Sequence, residues 1–276
     1  MKAPSFVVVI SIFAFLVSCA DQAETPDVQA DSVQLEATPS TAPTPPVPVV
    51  AAEDLPSVPD RQPNTLTQAE REGGWKLLFD GQSLTGWKMY RQKPNNSWSV
   101  RDGVLYCKGS TTDKSDLRTD IITEDEFGNF ELQIEWKISA GGNSGLMYLV
   151  SETAEAAYLT GPEYQMIDDQ GFPEKLEDWQ KSGANYAMHP PAEIRSKPAG
   201  EWNHTRVVVQ NGKVEHWLNG AKVVEYEFNS EDWKKRKAEG KWKDVPSYGV
   251  NSMGQFALQD HGSEAWFRNI LIREIE

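Results

Sequence analysis

Residues 204–228 read His-Thr-Arg-Val-Val-Val-Gln-Asn-Gly-Lys-Val-Glu-His-Trp-Leu-Asn-Gly-Ala-Lys-Val-Val-Glu-Tyr-Glu-Phe, three segments divided by Asn211-Gly212 and Asn219-Gly220. Within each segment apolar and polar residues alternate, the period of a strand with one buried face. Both Asn-Gly pairs tolerate the positive φ angles of a two-residue hairpin turn. The stretch is therefore an antiparallel meander, and the same period extends outward from it. Phe130, Leu132, Ile134, Trp136 and Ile138 alternate with Glu131, Gln133, Glu135 and Lys137, and the polar set is expected to form a solvated face. Further strands are expected at 75–79, 84–90, 98–101, 104–108, 118–123, 144–151, 161–168, 184–189, 254–260 and 265–275, with a hairpin turn at Asp102-Gly103. Thr67-Gln68-Ala69-Glu70 fits a capping box with a stop at Gly73, and Ser230 to Ala238 before Gly240 reads as a second helix. Many short strands without β-α alternation or an internal repeat predict an all-β protein, a jelly-roll sandwich of two antiparallel sheets with one or two short helices.

The 276 residues carry a formal net charge of −14, which excludes a nucleic-acid binder. More than half of that charge belongs to residues 19–74 rather than to the strand-rich region, so it says little about a ligand. No apolar run reaches the roughly 18 to 20 residues that span a bilayer. Cys19 and Cys107 are the only cysteines, too few for a disulfide framework or a structural zinc site, and Cys107 reads as an inert buried thiol. Met1-Lys2, the apolar run Phe6 to Val17 and Leu16-Val17-Ser18-Cys19 resemble a bacterial lipoprotein signal. That resemblance implies a signal peptide at 1–18 and lipid attachment at Cys19, hence a cell-envelope protein on the periplasmic or outer-surface face of a membrane, held by its lipid anchor only. Residues 19–64, acidic and rich in Pro, Ala and Thr, are expected to form a disordered tether, leaving residues 65–276 as the folded domain.

The chain has no G-x-S-x-G elbow, P-loop, H-E-x-x-H or dinucleotide fingerprint. Three clusters carry the chemistry instead. In Gly141-Gly142-Asn143-Ser144-Gly145-Leu146-Met147-Tyr148, a glycine-rich loop enters a strand and Asn143 can both donate to and accept from sugar hydroxyls. In Glu163-Tyr164-Gln165-Met166-Ile167-Asp168, strand periodicity projects Glu163 and Gln165 from one face. In Leu258-Gln259-Asp260-His261-Gly262, an imidazole beside a carboxylate ends an apolar strand, a usable acid/base pair. Trp179, Trp202, Trp217 and Trp266 offer faces for pyranose stacking, although tryptophans in a sandwich are commonly core. His189, His204 and His216 read as packed or solvated histidines.

Gly74-Trp75-Lys76-Leu77-Leu78-Phe79-Asp80-Gly81, the Gly142–Gly145 loop, Glu163-Tyr164-Gln165, Gly200-Glu201-Trp202-Asn203, Leu218-Asn219-Gly220, Leu258–Gly262 and Phe267-Arg268-Asn269-Ile270 together resemble the 3-keto-disaccharide hydrolase domain family. The resemblance implies a concanavalin A-like lectin/glucanase sandwich and an enzyme that cleaves glycosides oxidised at C3. It also implies a carbohydrate substrate and a separate sugar 3-dehydrogenase to supply it. A C3 ketone acidifies the C2 proton, so a base can remove it, the C1 substituent can leave by elimination, and added water completes a net hydrolysis. The base would be His261 or Glu163, with Asp260 orienting the imidazole and Asp168 as a reserve acid. Asn143, Tyr148, Gln165, Gln259 and Trp179 would bind substrate. No motif demands a cofactor, and a divalent cation is left open. The chain departs from the family pattern at Phe172, at Met147-Tyr148-Leu149 and at Gly249 to Gln255, where histidines or basic residues are common; these departures remove cationic groups from the expected cleft. A non-catalytic, surface-anchored carbohydrate-binding module and a conventional endo-β-glucanase are the alternatives, the latter disfavoured by the wrong spacing of Glu131, Gln133 and Glu135.

Overall fold

The computed structural model describes residues 62–276; the expected signal peptide, Cys19 and nearly all of the tether lie outside the described residues. The meander forms as expected, with β9 (Asn203–Gln210), β10 (Lys213–Leu218) and β11 (Ala221–Glu227) paired antiparallel. Asn211, Gly212, Asn219 and Gly220 all take positive φ, between 49° and 86°. The meander is one end of an eight-stranded sheet ordered β11-β10-β9-β6-β13-β4-β3, using β6 (Phe130–Ile138), β13 (Ala265–Glu274), β4 (Val104–Cys107) and β3 (Trp98–Arg101), with β1 (Lys76–Leu77) paired to β13. The second sheet is β2-β5-β12-β7-β8, from β2 (Trp87–Met89), β5 (Ile121–Thr123), β12 (Gln255–Leu258), β7 (Asn143–Val150) and β8 (Glu163–Ile167). All pairings are antiparallel, and the two inner faces enclose a core built on Phe130, Leu132, Ile134, Trp136, Tyr148, Tyr164, Phe256 and Phe267.

Both helices start where the caps place them. α1 (Gln68–Glu72) has the complete Thr67/Glu70 capping box, and α2 (Glu231–Glu239) begins after Ser230, whose hydroxyl accepts the Trp233 N–H. Among the described residues no helix is long and apolar enough to cross a membrane. Asn64, just before the expected start of the domain, packs against its last strand. Asn64 is buried, its N–H donates to Asn269 Oδ1 at 2.6 Å, and its Oδ1 accepts the Asn269 N–H at 2.9 Å.

Two expectations fail for reasons of packing. Residues 184–189 form no strand: Gly183 and Ala187 take positive φ, and the N–H groups of Met188 and His189 both fold back onto Asn185 O. The polar face of β6 is only partly solvated: Gln133 and Lys137 keep partial exposure, whereas Glu131 and Glu135 are covered from β9 and β13 on either side. Arginines from both neighbours reach across it: Arg206 and Arg273 bind Glu131, and Arg268 binds Glu135, which leaves both glutamates buried. The guanidinium groups in turn cover Trp217, Trp75 and Trp202 at 4.1–5.0 Å from the ring centroids, and Lys137 covers Trp266 at 4.7 Å. These tryptophans support cations and do not present free faces for a sugar.

Candidate active site

The outer face of the five-stranded sheet carries the convergent polar groups. On β8, Tyr164 and Met166 point into the core, so the two-residue period turns Glu163 and Gln165 outward. Gly145 on β7 pairs with Gln165 on one side, and its carbonyl accepts the Gln259 N–H at 2.9 Å on the other. The absence of a side chain at Gly145 makes room for the carboxyl group: a Cβ there would overlap Glu163 Oε1. Glu163 is 5% exposed. Burial pushes its pKa up from 4.5 to about 8, against the attraction of the Lys241 ammonium, with repulsion from Asp120 adding to the rise and a Gln259 hydrogen bond opposing it. Asp120, just before β5, accepts the Asp260 N–H at 2.9 Å, and burial raises it to about 6.

Two acceptors near this carboxyl lack any partner. Asn143 Oδ1 and Gln259 Oε1 are buried without a hydrogen bond, a condition that costs free energy unless a ligand or water donates to them. Asn143 pairs with Ile167 at the open end of the β7–β8 ladder, two residues along β7 from Gly145. Asn143 and Gln259 thus both neighbour the glycine over which Glu163 lies. Such a site can hold hydroxyl groups and move a proton, and no group of three or more His, Cys, Asp or Glu able to hold a metal ion occurs among the described residues.

The structure sorts the sequence-predicted residues. It brings together Glu163, Gln165, Gln259 and Asn143, and places Trp179 beside them: Trp179 is 37% exposed and meets Tyr186 edge-on at 5.4 Å. Tyr186 donates its backbone N–H to Glu163 O at 3.0 Å. Tyr148 is not at the site. It points into the core, where its hydroxyl bonds His216 Nε2 at 2.8 Å and Tyr226 at 2.6 Å, because it falls on the inward phase of β7 with Leu146. Burial lowers His216 to about 3, so the ring is neutral within this network. Asp260 does not orient His261. Its carboxylate binds Arg118 through two guanidinium nitrogens, accepts the Ser97 hydroxyl and caps the Gly262 N–H, while His261 is exposed on the same turn. Asp168 accepts the N–H groups of Gly141, Gln170 and Gly171, which makes it the anchor of a loop. Cys107 is buried, and burial raises its thiol pKa.

Sequence reasoning missed Asp120, Arg118, Tyr186 and Lys241. Asp120 and Arg118 precede a three-residue strand in a polar segment, Tyr186 sits in the turn misread as a strand, and Lys241 follows a helix end. Only the Lys241-Trp242 pairing of a cation with an aromatic residue offered a local signal.

The chain is thus a jelly-roll β-sandwich with a buried acid and amide side chains on one outer face. Residues 74–273 match the 3-keto-alpha-glucoside-1,2-lyase-like domain family, and the chain belongs to that family. It is 32% identical over 229 residues to a 3-keto-disaccharide hydrolase of Bacteroides thetaiotaomicron, covering 74% of this chain and 79% of that protein. A crystal structure of a "putative glycosyl hydrolase" from Parabacteroides distasonis superposes with a TM-score of 0.72 at 43% identity, covering 78% of this chain and all of that one. A second from the same organism gives 0.56 at 30% identity, covering 73% and 99%. These relationships support a glycoside hydrolase-like function.

Proposed function

We propose that the protein cleaves 3-keto-glycosides by removal of the C2 proton and elimination at C1, followed by hydration to a net hydrolysis. The observation that carries this reading is Glu163: a buried carboxyl with a pKa near 8, set over Gly145 among amide side chains. A carboxylate raised by burial is a stronger base than one in water, which suits a carbon acid activated by a neighbouring ketone. Glu163 takes the C2 proton, the C2–H electron pair forms C2=C3, and the ketone becomes an enolate. The enolate electrons then form C1=C2 and restore the ketone as the C1–O bond breaks. Glu163, protonated in the first step, returns that proton to the departing oxygen. Water adds OH at C1 and H at C2, so the overall reaction consumes one water and releases the 3-keto sugar and its aglycone. Asn143, Gln165 and Gln259 bind hydroxyl groups, the two orphaned oxygens accepting from them. His261, exposed on the turn after β12, takes no part in this route.

The test is turnover of a matched chromogenic β-glucoside and its 3-keto derivative. Release from the keto compound only, abolished in Glu163→Gln and retained in His261→Ala, is the expected result. Equal release from both compounds moves the chemistry to an endo-β-glucanase type of mechanism. Saturable sugar binding with no release moves the assignment to a carbohydrate-binding module.

A further inference from the structure

Lys241 is a cation held in place by aromatic rings rather than by a carboxylate. Its ammonium lies 4.5 Å from the Tyr186 ring centroid, 4.8 Å from Trp242 and 5.7 Å from Tyr158, and among the described residues no carboxylate is within ion-pair distance of it. The cage comes from three separate segments and is itself braced. Trp242 stacks on Tyr248 at 4.1 Å with 6° between planes, and its Nε1–H donates to Tyr186 O at 3.3 Å. Tyr186 is in turn bonded through its N–H to the backbone of Glu163. The same residue that steadies the ammonium is thus fixed to the strand position that carries the buried acid.

Aromatic faces attract a cation without offering it a strong hydrogen-bond acceptor, so the three ammonium protons stay available to an incoming oxygen. Several other lysines are consumed by acids, as Lys88 is by Glu152 and Lys108 by Asp116. Resting on the reading of Glu163 as base, we propose that Lys241 is a catalytic residue that binds the C3 oxygen of the substrate and stabilises the enolate. The base acts at C2 and the developing charge appears on the oxygen of the adjacent carbon, so the reaction needs a carboxylate and a cation separated by neighbouring substrate atoms. Glu163 and Lys241 are near enough to attract each other but are not paired. As the C2 proton moves to Glu163, negative charge leaves the carboxylate and arrives on the oxygen beside the ammonium. That interaction strengthens along the reaction coordinate, the condition for lowering a barrier rather than merely tightening binding. Burial lowers the Lys241 pKa, an effect its attraction to Glu163 opposes.

The experiment uses the full chain and a 3-keto-1-deoxyglucose, which has no exocyclic leaving group at C1 and so reports enolisation apart from aglycone release. Exchange of C2–H for deuterium in heavy water is followed by NMR, beside release from the chromogenic 3-keto-glucoside and the melting midpoint. Lys241→Gln is expected to slow exchange and release together, about a hundredfold as for loss of one oxyanion-stabilising group, with an unchanged midpoint; Lys241→Arg, which keeps the charge, should recover part of the rate. Exchange in Lys241→Gln at the wild-type rate overturns the proposal, as does normal exchange with slower release, which would make Lys241 the acid of the leaving group. Wild-type protein that neither exchanges nor releases overturns the reading of Glu163 itself.

Discussion

Replacing Glu163 by Gln should make the protein more stable at neutral and alkaline pH while disabling it. Burial holds the folded carboxyl at about 8, against 4.5 for the unconstrained group. Below pH 4.5 it is protonated in both folded and unfolded chains and contributes no pH dependence. Between 4.5 and 8 the unfolded chain ionises while the folded one keeps its proton. The folded state then binds the extra proton, so wild-type stability falls as pH rises, by about 1.4 kcal/mol per pH unit. Above pH 8 both states are ionised and the full penalty, on the order of 5 kcal/mol, is present. Glutamine cannot ionise and escapes it. Urea unfolding of wild type and Glu163→Gln at pH 4.5, 6, 7.5 and 9 should therefore show a stability difference that grows in favour of the variant across the series. The other titrating groups act on both proteins and largely cancel in that difference. A difference flat to within about 1 kcal/mol from pH 4.5 to 9 would refute the reasoning, because it would mean that Glu163 ionises as an ordinary surface acid.

Two further outcomes test the sorting of the sequence-predicted residues. Tyr148→Phe removes a hydroxyl that bonds His216 and Tyr226, and should cost about 1–3 kcal/mol in urea unfolding while leaving KM for the keto-glucoside within about twofold; a large rise in KM would return Tyr148 to the substrate. Arg118→Met leaves the fully buried Asp260 side chain without its cation, and should destabilise by about 3–5 kcal/mol, with Asp260→Asn in the same chain recovering part of the loss; a neutral Arg118→Met would show that Ser97 and Gly262 suffice.

The elements legible in the sequence were those in which neighbouring residues supply the constraint. The Asn-Gly turns, the capping boxes and the two-residue period fixed β3, β10, α1 and the meander almost to the residue, because turn angles and caps depend on side chains a few positions away. The same period announced that Glu163 and Gln165 share a face. It failed at 184–189, where positive φ at Gly183 and Ala187 outweighs the apolar pattern. It failed again on β6, where alternation was right but exposure was not, since arginines from two other strands cover Glu131 and Glu135.

By itself the sequence determined the sandwich class and the strand phases, and it singled out Asn143, Glu163, Gln165 and Gln259, all of which lie on strands or just beyond their ends. Tertiary structure alone decided that Gly145 makes room for the Glu163 carboxyl, that Tyr148 belongs to the core and Asp260 to Arg118, and that Lys241 lies among the rings of Tyr186, Trp242 and Tyr158. The physical reason is sequence distance. Periodicity reports which way a side chain points, whereas the charge, burial and room it meets are set by residues up to 205 positions away.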